Sequence, residues 1–192
     1  MNTTKTMSKA QANGAFWRAV KCGSSYGVVN AVLNGANPNA RNNKGRPALF
    51  EALENTALRH DARAELVKTL LVAGADANTN WHTHTILQRA ACAGGGKPEI
   101  VKDLIALGAD VNAKNCAGQS ALWLAQAAEV VDLLLEAGAE DAGCDNQGRA
   151  GASQEMVAYR AQRRAELEAR ALAASIGAAT PAPAARRRAM AL

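Results

Sequence analysis

Ile100-Val101-Lys102-Asp103-Leu104-Ile105, followed after two residues by Gly108-Ala109-Asp110-Val111-Asn112, is the stretch that decides the architecture. Its apolar side chains fall at the first, second, fifth and sixth positions, which makes one broad helical face. Gly108 then supplies the left-handed residue that ends a helix, and the Asp beyond it favours a turn. The stretch predicts an amphipathic helix, a stop and a turn.

The same phrase recurs as Gly35-Ala36-Asn37-Pro38-Asn39 and Gly74-Ala75-Asp76-Ala77-Asn78, and in degenerate form as Gly138-Ala139-Glu140-Asp141. The spacings are 39, 34 and 30 residues. Matching apolar runs precede the other glycines: 28–33 ahead of Gly35, 66–71 ahead of Gly74 and 130–135 ahead of Gly138. Self-similarity at this period signals stacked units, each sharing its apolar face with its neighbours. A second helix precedes each run, with signatures in Phe16–Val20, Pro47–Leu53, Thr85–Ala91 and Ser120–Ala125. Each pairs a large apolar residue with a small Ala three positions on, so neighbouring helices can approach closely.

These motifs resemble the ankyrin repeat, with its T-P-L-H-x-A-A opening, V-V-x-L-L-L second helix and G-A-D-x-N exit. The third unit fits best, from Thr85-Ile86-Leu87-Gln88-Arg89-Ala90-Ala91 through Gly94 to Asn112. The resemblance covers roughly residues 10–150, ending in a degenerate fifth start at Asp145–Arg149. It implies an all-α fold: an ankyrin-repeat solenoid of about four helix–turn–helix units with protruding turns and a C-terminal capping helix. The expected divisions are a flexible N-terminus at 1–9, the repeat domain at 10–152, a helix at 153–176 capped by Ser153, and a disordered Pro/Ala/Arg tail at 177–192. Met156, Val157, Leu167, Leu172 and Ile176 are the few apolar residues of that helix, and its first half is expected to cover the open end of the stack. The units differ in length: Leu49 to Gly74 is 25 residues, Leu87 to Gly108 is 21 and Leu122 to Gly138 is 16. The differences fall in the turns between paired helices, where they cost little.

Composition agrees with this reading. Hydrophobic residues at 48% exclude wholesale disorder, and aromatics at 4% disfavour a β-sandwich. No apolar run is long enough to span a membrane, and the first ten residues lack a secretory signal's apolar core. Cys22, Cys92, Cys116 and Cys144 lie too far apart for a zinc site and are too few for a disulfide scaffold, so reduced thiols and a cytoplasmic location are expected. A secreted effector is the second expectation. Of the net charge of +5, the residues from Ser153 onward carry +4, leaving the body nearly neutral.

Nothing in the sequence assembles a reaction centre. His82 and His84, with His60 nearby, have no Cys, Asp or Glu at ligand spacing, so no metal is expected. Gly94-Gly95-Gly96-Lys97 lacks a P-loop's Ser or Thr, because Pro98 stands there. No catalytic residue, enzyme activity or cofactor is expected. Arg186-Arg187-Arg188 could neutralise about three phosphates, which gives an alternative reading as a nucleic-acid-associated protein.

The resemblance implies a concave groove, lined by the turns and the first helices, that grips another protein. Matching positions are Asn43, Lys44, Arg46, Glu54 and Asn55 in unit two, Trp81, His82, His84, Cys92 and Ala93 in unit three, and Cys116, Ala117 and Gln119 in unit four. Trp81 has two readings: a contact anchor at a fingertip, or a ring folded back on a neighbouring unit by a long 80–85 turn. Trp17, Phe50 and Trp123 take the place of the motif's His and are expected in or beside the core. The implied function is protein binding as an adaptor, inhibitor, immunity factor or effector, with a monomer when unbound.

Overall fold

Each exit phrase closes its helix in the same way. Gly35, Gly74, Gly108 and Gly138 all have φ between +84° and +94°, a region that costs a residue with a Cβ. The following alanine N–H reaches back five residues, as in Ala75 to the Leu70 carbonyl at 2.9 Å and Ala109 to the Leu104 carbonyl at 2.9 Å. This Schellman closure satisfies carbonyls that a helix end otherwise orphans.

A computed structural model of the chain describes residues 7–92, 97–141, 145, 147 and 154–179. Four helix pairs follow one another: α1 (Lys9–Cys22) with α2 (Ser25–Leu33), α3 (Ala48–Glu54) with α4 (His60–Val72), α5 (Ile86–Cys92) with α6 (Pro98–Ala106), and α7 (Ala121–Leu124) with α8 (Ala128–Glu136). First helices stack in the order α1, α3, α5, α7 and second helices in the order α2, α4, α6, α8. The only strands among the described residues are β1 (Asn80–Trp81) and β2 (His84–Thr85), paired antiparallel. The expected all-α repeat stack is what forms.

The core is a continuous apolar seam along the stack. Leu49, Leu53, Leu66 and Leu70 from unit two meet Ile86, Leu87, Ile100 and Leu104 from unit three, all 2% exposed or less. Buried Ala12, Ala52, Ala90 and Ala121 let the first helices close on one another.

The exit asparagines add a polar ladder. The Asn39 side chain accepts from the Asp76 N–H at 2.7 Å and donates to the Gly74 carbonyl at 3.1 Å. Asn78 repeats both bonds with Asp110 and Gly108, and Asn112 repeats them with Glu140 and Gly138. The sequence shows these residues only as the last letter of a recurring phrase; in the fold each fixes its unit to the next.

The last helix, α9 (Gln154–Ala179), packs against α8. Met156, Tyr159 and Leu167 lie against the core. Arg160 is 2% exposed and donates to the Leu122 carbonyl at 3.2 Å. Arg163 joins Asp132 at 2.9 Å and Glu136 at 3.1 Å. Residues 168–175 are exposed, including Leu172, so only the first part of this helix touches the stack. The expected cap Ser153, the Gly94–Gly96 turn, Ala93, Cys144 and the 180–192 tail lie outside the described residues.

Candidate functional site

Three loops between units form the fingers, and two share one construction. In the first, the Asn42 side chain accepts from the Lys44 N–H at 2.9 Å and the Arg46 N–H at 3.0 Å, while Gly45 turns at φ +73°. In the third, Asn115 accepts from Ala117 and Gln119 in the same way, and Gly118 turns at φ +78°. An asparagine that holds its own backbone makes a rigid tip. The second finger differs. Asn80 pairs with Thr85 and Trp81 with His84, so the segment is a tight hairpin, not a long turn. His82 takes a left-handed φ of +53° at its tip.

That hairpin turns Trp81 toward unit two. Its half-buried ring meets Phe50 edge-on at 5.9 Å between centroids, and the Arg46 guanidinium lies 4.6 Å above it. The exposed His82 ring lies at 4.2 Å from the indole. Of the two readings of Trp81, the ring folded against its neighbour describes the geometry. A half-buried indole keeps part of its surface open, so this geometry still leaves it available to a ligand.

Arg46 is fixed from below as well. It pairs with Glu51 at 3.3 Å and with Glu54, and Glu54 also receives Arg89 from the next unit. The Glu54 hydrogen bond raises the Arg89 pKa, against a smaller opposing effect of burial. These four charges largely cancel one another.

Around this floor opens a concavity of about 550 Å³, lined by Trp17, Lys21, Arg41, Asn42, Asn43, Lys44, Arg46, Glu51 and Trp81. Four residues expected from the sequence therefore come together: Asn43, Lys44, Arg46 and Trp81. Glu54 supports them through Arg46. Asn55 ties the turn after α3 to the Lys21 carbonyl at 3.0 Å. His84 and Gln119 sit one finger along, where Asn115 lies 3.5 Å from the His84 ring and donates to Gln119 at 2.8 Å. Cys92 is half-buried beside Arg89, Ala117 is half-buried and Cys116 is exposed.

Sequence reasoning missed Lys21, Arg41 and Glu51 as groove residues; Trp17, expected in or beside the core, packs against it and also lines the concavity. Trp17 is half-buried on α1, and Lys21 stands one helical turn beyond it, so their i, i+4 spacing was the available signal. Arg41 offered none, because its position depends on bonds to the Gly45 and Asn80 carbonyls across two fingers.

Lys97 is a buried cation behind this face. Its ammonium donates to the Leu53 carbonyl in the last turn of α3 at 2.9 Å. Burial pushes its pKa from the ordinary 10.5 to about 8, helped by Arg63 and Arg89 and opposed by Glu54. Between those two values the unfolded chain binds more protons than the folded one, so folding stability rises with pH there. Tyr159, whose pKa burial raises above 10.0, acts in the opposite direction only at higher pH. Melts of wild type and Lys97→Met at pH 7 to 10 are expected to show the rise in the first and its loss in the second. Equal slopes would remove Lys97 as its source.

No group of three or more His, Cys, Asp or Glu side chains among the described residues could hold a metal ion. None of the described helices is long and apolar enough to cross a membrane. A family model described as ankyrin repeats, in three copies, matches residues 16–115, a little over half of the chain. No curated protein matches the chain.

Proposed function

We propose that this chain, which belongs to the ankyrin-repeat family, is a non-catalytic binding module that grips another protein in the concavity between its first two fingers. Ankyrin repeats are generally protein–protein interaction modules, and in this reading the chain acts as an adaptor, inhibitor, immunity factor or effector. One observation carries it: a concavity of about 550 Å³ with an indole on each of two units and rigid finger residues at its rim. Trp81 is held by Phe50 and Arg46, so little side-chain freedom is lost on binding. We further propose a monomer that meets its partner in the cytoplasm, where the free thiols of Cys22 and Cys92 would stay reduced.

Asn43 is exposed on the first finger and Lys68 is exposed on α4, outside the concavity. A photo-crosslinking residue at Asn43, used in the source cell, is expected to give a discrete protein adduct. The same residue at Lys68 is expected to give at least tenfold less of it. Adducts of equal yield from both positions, or none from Asn43, would refute the reading.

A further inference from the structure

We propose that the concavity is selective for an acidic segment of the partner, with carboxylates placed on either side of an apolar side chain. This rests on the binding-module reading above and adds the chemistry of what is bound.

Five ionisable side chains line the concavity: Lys21, Arg41, Lys44, Arg46 and Glu51. Arg46 and Glu51 neutralise each other at 3.3 Å, and Arg46 is engaged by Glu54 as well. Lys21, Arg41 and Lys44 have no carboxylate partner among the described residues. The repeat body is nearly neutral overall, so three unmatched cations around one concavity are a local concentration rather than a general surplus. They repel one another, and an anionic ligand relieves that repulsion and gains each attraction.

Position distinguishes the three. Arg41 is pinned by the Gly45 carbonyl at 3.0 Å and the Asn80 carbonyl at 3.3 Å, so its guanidinium is pre-oriented between two fingers. Lys44 stands exposed at the tip of the first finger, and Lys21 is exposed in the last turn of α1. The indoles of Trp17 and Trp81 complete the lining with apolar surface. Charged rim and aromatic walls together suit a short peptide carrying both kinds of side chain. The three cations are separated by the indoles and do not form a continuous basic stripe, which suits discrete carboxylates better than an unbroken phosphodiester backbone, so a nucleic acid fits less well.

The test is panning of a random twelve-residue peptide library on the full chain, with Lys21→Glu/Lys44→Glu in parallel. Neither lysine side chain makes a hydrogen bond or ion pair among the described residues, so the variant is expected to melt with wild type. Enriched peptides should be net negative with an internal apolar residue. The best of them, synthesised with a dye, should bind the variant at least tenfold more weakly, and wild type several-fold more weakly at 300 mM than at 50 mM salt. Lys68→Glu should bind as wild type does.

Neutral or basic winners, no winners, or acidic winners indifferent to the double reversal would overturn the acidic-segment proposal. So would a twenty-nucleotide single-stranded DNA that binds in their place and loses affinity in the variant. If Asn43 still yields its protein adduct in cells, the module reading stands while this one falls. Loss of that adduct refutes both.

Discussion

Phe50→Ala is expected to lower folding stability by about 3–5 kcal/mol, the range for truncating a buried aromatic ring. Phe50 is 1% exposed in the centre of unit two and is also the surface against which Trp81 rests. Whole domains are stable by only about 5–15 kcal/mol, so this single change consumes much of the margin. In a stack each unit is stabilised mainly by its neighbours, so the loss should concentrate in units two and three. Amide exchange is therefore expected to accelerate in α3 to α6 well before α8 and α9. Tyr26→Ala is the control, because that ring is 82% exposed and its loss should move the melt very little. A melting shift no larger than the control's would show that the seam at Phe50 is not packed as described.

Gln88→Leu is the second large effect, about 3 kcal/mol, and it arises from polarity rather than volume. Gln88 is fully buried. Its oxygen accepts from the Thr85 N–H at 2.9 Å, and its amide donates to the Ala113 carbonyl at 2.9 Å and the Gln119 carbonyl at 3.0 Å. The Thr85 hydroxyl returns a bond by accepting from the Gln88 N–H at 3.2 Å. Leucine fills similar space but leaves one donor and two acceptors without this partner, each costing about 1–3 kcal/mol if it stays dry. Gln88→Glu separates the contributions. An ionised carboxylate still accepts from Thr85 but donates to neither carbonyl, and protonation restores one donor. Its deficit is therefore expected to shrink as pH falls through the raised pKa of the buried acid. A deficit independent of pH, or a Leu variant as stable as wild type, would discard this network.

Gln88 also shows where sequence reading stops. It occupies the motif's His position in Thr85-Ile86-Leu87-Gln88, so its place on the first helix was legible. That it bonds two carbonyls 25 and 31 residues away was not, because those partners belong to the next finger. The same division separates Asn78 as a recurring residue of the exit phrase from Asn78 as a link to Asp110 and Gly108. For Trp81, the sequence left both placements open, and the hairpin pairing of Trp81 with His84 turned the ring onto Phe50.

The helix pairs, their four-fold recurrence and the glycine at each exit are legible in the residues alone. Those depend on apolar spacing and backbone conformation within a few residues. Asn43, Lys44, Arg46 and Trp81 could be assigned to the groove for the same reason, since finger positions follow from repeat phase. That Lys21 and Arg41 join them, that Arg46 is neutralised from two sides, and that three cations lack a carboxylate partner among the described residues emerges only when the units stack. Charge balance at a surface depends on which side chains from different units converge, and convergence is a property of the stack, not of any one repeat.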